Sequence, residues 1–164
     1  MNTGNETVLG IDPGFARCGY GVVGKEKNTP VAYEWGCIET TPKTGDTPVR
    51  LLSIYDSIEN LIRTYTPVCL ACEKLFFSRN TTTAMQVSEA KGVIILAAAK
   101  HQIPVFEYTP KQVKLAITGS GLADKKQIQM MITRLLRLSE IPQPDDAADG
   151  LALALCHVNW MRMR

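Results

Sequence analysis

Three short stretches of this chain carry carboxylates in settings where simple solvation is a poor explanation. The first is Val8–Gly14, VLGIDPG, an apolar run holding one acid, Asp12, and halted by Pro13-Gly14. Run and stop together predict a buried strand that delivers an acid to its own end. The second is Val68–Phe77, VCLACEKLFF. It is too short and too continuously apolar for a surface helix, so Glu73 falls in another buried strand. The third is DDAADG at 145–150, which opens a helix with Asp146 and Asp149 at i and i+3, on one side. Singly, each acid has an ordinary role: a turn cap for Asp12, an edge acid for Glu73, and dipole compensation near a helix start for Asp145, Asp146 and Asp149, worth ~0.3–1 kcal/mol each.

Side-chain direction argues for more than this. Period-two alternation puts Val8, Gly10 and Asp12 on one strand face, and Cys69, Ala71 and Glu73 on another. Each acid shares its face with a small residue, which leaves room for another element to approach closely. The helix carrying Asp146 and Asp149 is the best candidate, since Ala147, Ala148 and Gly150 are small again. The expectation is that it lies over both strands and aims its acids at Asp12 and Glu73. Two like charges ~4 Å apart repel by roughly 4 kcal/mol at an effective dielectric of ~20, and burial adds desolvation. Protons or a cation must answer four such groups. All-oxygen ligation suits Mg2+ or Mn2+, and paired divalent ions recur where phosphate undergoes in-line attack.

The elements that would hold these acids can be read along the chain. Val8–Ile11 is strand one, followed by a turn, FARC, and a hairpin partner in GYGVVGKE; Val31–Thr40 alternates as a third strand. Residues 41–48 are loop by composition. Leu51, Ile54, Tyr55, Ile58, Leu61, Ile62 and Tyr65 keep helical spacing, and Thr66-Pro67 ends that helix. After the Glu73 strand, Asn80 caps a long helix to about Gln102. A brief strand, Val105–Tyr108, leads to a helix over Lys111–Ile117 introduced by Thr109-Pro110. Asp124 then caps another helix, and the last starts near Asp145 or Asp146. The result is an α/β chain: a mixed sheet with helices on both faces.

Composition bounds the rest. At 164 residues, 45% apolar and 21% charged, the chain suits one full core. Residues 8–164 are expected to form one domain behind a loosely ordered polar lead-in, 1–7. A net charge of +2 does not announce a nucleic-acid partner, so any basic surface must be local. Five scattered cysteines with no secretory signal favour free thiols and a reducing, cytoplasmic compartment. Cys69 and Cys72 have C-x-x-C spacing, but three residues apart in a strand they face opposite ways. GSGLADKK lacks the phosphate-loop spacing. His157 lies two to three turns beyond Asp146 and Asp149, beside the site or in the core.

As a set, GIDPG with GYG, EKLFF-SRN, VFEYTPKQVK, GSGLADKKQ and PQPDDAADGLALA resemble the bacterial RuvC family of Holliday-junction resolvases, in order from about Val8 to His157. The resemblance implies a ribonuclease H-like fold and a homodimer that binds four-way DNA junctions. It implies a Mg2+-dependent endonuclease that nicks two opposed strands symmetrically in recombination and repair, leaving 5′-phosphate and 3′-hydroxyl ends. Asp12 and Glu73 match the strand acids, and the D-x-x-D pair before the ALA run falls on Asp146 and Asp149. Asp145 is then an additional acid; a register starting there would displace Asp146. Two ions per site are expected, with Asp12 bridging them, Glu73 and Asp149 on one each, and Asp146 completing the site or orienting water.

The same resemblance gives roles to other residues. Lys114 and Lys125 match basic positions near the cleft, where they would meet scissile-strand phosphates; otherwise each is a solvated helix-end lysine. Phe76 matches a position that stacks on an unpaired base at the junction centre, with Phe77 assigned to the core. Arg79 and Lys74 would hold backbone phosphates, and the helix from Asn80 would form the dimer element. Branch-migration machinery is an implied associate. Gly150, where alanine is usual, is expected to loosen its helix slightly. Rival readings are a catalytically silent junction-binding module, a ribonuclease H-like RNA nuclease, and an actin-like kinase, which would need a second related domain.

Overall fold

The computed structural model describes residues 6–76 and 81–161. Five strands, β1 (Val8–Asp12), β2 (Arg17–Glu26), β3 (Thr29–Glu39), β4 (Cys69–Glu73) and β5 (Val105–Tyr108), form one sheet in the order β3-β2-β1-β4-β5. β1, β2 and β3 are an antiparallel meander, while β4 joins β1, and β5 joins β4, in parallel. Parallel neighbours require crossovers. Helices α1 (Thr47–Tyr65) and α2 (Thr81–Lys100) supply them, and α3 (Pro110–Thr118), α4 (Lys125–Leu135) and α5 (Asp145–Met161) follow β5.

The sheet separates two apolar layers. On one side Leu9, Ile11, Leu70 and Cys72 pack against Ile54, Ile58 and Ile62 of α1 and Ala90, Ile94 and Ala97 of α2. On the other, Val8, Cys69 and Ala71 meet α5 through Leu151, Ala152 and Leu155, with Val113 of α3 and Ile132 of α4 beyond. The expected alternation therefore holds, and Cys69 and Cys72 face opposite layers. Both thiols are pushed up by burial, to about 12 and about 11. His157 belongs to the α5 layer: its Nδ1 lies 2.5 Å from the buried Tyr108 hydroxyl, and its ring packs on Phe106 and Trp160.

Small residues let α5 reach the sheet backbone. Gly10 sits between Gly21 and Ala71 in the ladders, and a Cβ there would stand 2.1 Å from the Gly150 carbonyl oxygen. A Cβ on Gly150 would lie 2.4 Å from the Tyr20 carbonyl carbon. Gly150 is thus a seat for close approach; the loosening expected of it is opposed by this contact.

Several boundaries differ from expectation. α1 begins at Thr47, inside the expected loop, because the Asp46 side chain accepts from the Val49 N–H and Pro48 fits the first turn. β2 begins at Arg17, so FARC is only partly turn. β4 stops at Glu73 rather than Phe77: its partner β5 has four residues, and the ladder ends with Glu73 opposite Tyr108. At the N-terminal end, Thr7 of the expected lead-in is held; its hydroxyl donates to the Tyr65 carbonyl and its own carbonyl accepts from Val68 N–H. Phe77, Arg79 and the Asn80 cap lie outside the described residues. Among the described residues, no helix is long and apolar enough to cross a membrane.

Candidate active site

β1 and β4 run parallel and pair as far as Ile11 and Cys72. Asp12 and Glu73 are the next residues, at the carboxyl ends of neighbouring strands, where open α/β sheets gather their ligands. α5 brings the other acids. Its first turn presses on β2, with Gly19 directly under the Asp146 carbonyl. Asp12, Asp146 and Asp149 each offer a carboxylate oxygen, and the three oxygens lie within 4.8 Å of one another. Glu73 lies outside that triple but lines the same cavity of about 340 Å3, with Asp12, Asp149, Lys114 and Lys125. Asp145 turns aside: its carboxylate takes Lys125 Nζ at 3.1 Å and accepts from Gln129 Nε2 at 3.3 Å. The i, i+3 pair, rather than Asp145, joins the cluster.

Electrostatics reflect the crowding. Burial, then the charges of Glu73, Asp149 and Asp146, push the Asp12 carboxyl up to about 7, against the pull of Lys125. Glu73 is raised by burial and by Asp149, with Lys91 opposing. Asp149 is raised by burial and by Asp146 and Asp145, with Lys125 opposing. Burial and mutual repulsion thus let Asp12 hold its proton up to about pH 7 and favour the protonated forms of Glu73 and Asp149, unless a cation takes the protons' place. The donors are all carboxylate oxygens, with no imidazole or thiolate among them. That set fits a hard divalent ion such as Mg2+ or Mn2+.

The basic residues divide. Lys114 and Lys125 both line the cavity, and the bond to Asp145 holds the Lys125 ammonium above its usual range. Phe76 follows Glu73 by three residues, off the end of the sheet, and is 63% exposed. Its ring is free of the core. Arg79 lies outside the described residues.

One residue at the site carried no sequence signal. Arg17, at the start of β2, donates from Nε to Asp146 Oδ2 at 2.8 Å and from Nη1 to Glu39 Oε1 at 2.7 Å. It thereby ties an α5 acid to β3. The Arg17–Glu39 half is a cross-strand pair, but Asp146 is 129 positions away and only the fold joins them.

A mixed sheet of this order, with carboxylates at adjacent strand ends and a helix closing over them, defines a ribonuclease H-like protein with an acidic, nuclease-type site. Comparison with known proteins narrows the class. The family described as Crossover junction endodeoxyribonuclease RuvC matches residues 8–157. The proteins of that name from Pseudothermotoga lettingae and Alkaliphilus metalliredigens are 51% identical over 150 residues and 52% over 152, covering 92% and 93% of this chain and 92% of each relative. The structure of Thermus thermophilus RuvC in complex with a Holliday junction substrate superposes with a TM-score of 0.90 at 34% identity, covering 96% of both chains. The chain belongs to the crossover junction endodeoxyribonuclease RuvC family.

Proposed function

We propose that this chain resolves Holliday junctions: as a homodimer it binds a four-way DNA junction and nicks two opposed strands, in recombination and repair in the bacterial cytoplasm. The observation that carries the reading is the crowding of Asp12, Asp146 and Asp149 within 4.8 Å, with Asp12 and Asp149 lining one cavity together with Glu73, Lys114 and Lys125. Asp12, Glu73, Asp146 and Asp149 would hold two Mg2+ ions, with Mn2+ able to substitute. Bound there, the metal would supply positive charge to activate a water for attack and to stabilise the leaving 3′-oxygen.

The chain's own groups do the rest. The four carboxylates bind and orient the metal. Lys114 and Lys125 meet the phosphates of the scissile strand, drawing the backbone into the cleft and offsetting charge as the phosphorus centre becomes more negative. Arg17 keeps the Asp146 carboxylate facing the cluster. Phe76, exposed and close to Glu73, stacks on a base left unpaired at the junction centre, with Lys74 and Arg79 on backbone phosphates. α2 supplies the dimer contact. Met85, Gly92 and Leu96 fall at i, i+7 and i+11 on one side of it; Met85 and Leu96 are exposed, and a Cβ at Gly92 would meet nothing within 4 Å. A two-fold dimer matches two symmetrical cuts. Branch-migration proteins are the natural associates.

The chemistry of the ends tests this. Cleavage by water should leave 5′-phosphate and 3′-hydroxyl termini, so DNA ligase alone should reseal the nicked arms. Asp12→Asn should bind the junction with nearly unchanged affinity and cut nothing, because binding rests mainly on basic residues. Cutting by Asp12→Asn at the wild-type rate would refute the site assignment.

A further inference from the structure

Among the described residues, Lys91 is the only lysine, arginine, aspartate or glutamate that is buried, at 9% exposure. Burying an ammonium is expensive, and an apolar side chain of similar length is often as good for stability. The place it occupies gives a reason for the charge. Lys91 sits on α2, its Nζ donates to the main-chain carbonyl of Glu73 at 3.1 Å, and it also pairs with the Glu107 carboxylate. Glu107 belongs to β5, opposite Cys72. One ammonium therefore joins α2, β5 and the last residue of β4.

That last residue needs holding. β4 ends at Glu73, and Lys74–Phe76 continue without regular structure. On the β5 side, Glu73 is fixed by its pairing with Tyr108 and by the Lys74 N–H donating to the Tyr108 carbonyl. Lys91 fixes it from α2. With both holds in place the direction of the Glu73 side chain into the cavity is set before any metal or DNA arrives, as outer partners do for metal ligands.

We propose that Lys91, braced by Glu107, is a positioning residue that presets Glu73 as a metal ligand. The inference rests on the assignment of Glu73 to the metal site. Its test is Mn2+ binding to the purified full-length chain by calorimetry, a readout separate from cleavage. Lys91→Met/Glu107→Met removes both charges and leaves neither unpaired, so it should unfold near the wild-type temperature in EDTA. Its Mn2+ affinity should fall about tenfold or more, the usual effect of losing an outer partner. Lys91→Arg, which keeps a donor, should recover most of the loss. Glu107→Gln, which leaves Lys91 unbraced, should lower affinity in the same direction and serves if the double variant does not fold. Glu73→Gln is the control. If Glu73→Gln weakens Mn2+ binding while the double variant and Glu107→Gln bind as wild type, the role of Lys91 is overturned and the site stands. If Glu73→Gln itself binds Mn2+ normally, the site assignment fails and the inference with it.

Discussion

Replacing Asp12 with asparagine should make the metal-free protein more stable, not less. The Asp12 carboxyl is pushed from 3.8 to about 7, by burial first and by three acidic neighbours after it. A carboxyl whose folded value lies above its unfolded value holds its proton more tightly in the fold. The stability this contributes is full below the unfolded value and is lost as pH rises through about 7. Relative to a neutral side chain, ionised Asp12 thus costs the metal-free fold up to about 4 kcal/mol at pH 8, and about 1 kcal/mol at pH 4.5. Relaxation of the cleft reduces the upper figure. At about 2–4 °C per kcal/mol for a chain of this size, Asp12→Asn in EDTA at pH 8 should melt about 5–10 °C above wild type. The gap should shrink toward pH 4.5. Excess Mg2+ at pH 8 should raise the wild type and leave the variant nearly unmoved, since only the fold that binds ligand gains from it. Thermal unfolding of both proteins, with and without Mg2+ at the two pH values, measures all of this. If Asp12→Asn melts below wild type in EDTA at pH 8, or if the gap ignores pH, Asp12 is an ordinary turn cap and the electrostatic reasoning is wrong.

Three further outcomes are expected. Arg17→Ala frees the Asp146 carboxylate and should raise the Mg2+ concentration needed for half-maximal cutting by about tenfold; an unchanged Mg2+ titration would make the Arg17–Asp146 bond incidental. Lys114→Glu or Lys125→Glu should weaken junction binding and lower the slope of log affinity against log salt by about one for each phosphate no longer neutralised. No change in binding or cutting from either would return both to solvated helix-end lysines. Gly10→Ala places a methyl 2.1 Å from the Gly150 carbonyl oxygen and should cost about 1–3 kcal/mol or more in urea unfolding, with cutting abolished as α5 moves off β1. A variant as stable as wild type would mean that α5 is not seated on Gly10.

The parts of this protein that could be read from its sequence are those governed by short-range periodicity. Alternation in VLGID and CLACE put Asp12 and Glu73 beside Gly10 and Ala71, and those small residues correctly announced a helix lying close above. The i, i+3 spacing of Asp146 and Asp149 picked out the pair that the fold gathers beside Asp12, while Asp145 pairs with Lys125. What escaped notice depends on distant partners. The end of β4 is set by the length of β5, some thirty residues later, so Lys74–Phe77 read as strand. Arg17 looked like part of a turn because nothing near it mentions Asp146. Lys91 drew no reading at all, since its burial arises only when α2 packs against Glu73 and Glu107. The early start of α1 was legible in Asp46-Thr47-Pro48, a cap followed by a first-turn proline, but loop composition outweighed it.

By this reading, Asp12, Glu73, Asp146 and Asp149 cut DNA at a four-way junction, two strands at a time. It is tested most directly on one synthetic junction, each of its four strands labelled in turn, beside a linear duplex of matched sequence. Wild type and Asp12→Asn are each incubated with Mg2+ or EDTA and the products resolved on a denaturing gel. Paired nicks at symmetrical positions on two opposed strands are expected, from wild type with Mg2+ only, with the duplex intact. Junction binding without cutting under every condition would contradict the claim in favour of a silent binding module. Equal cutting of junction and duplex would contradict it in favour of a nuclease blind to branching.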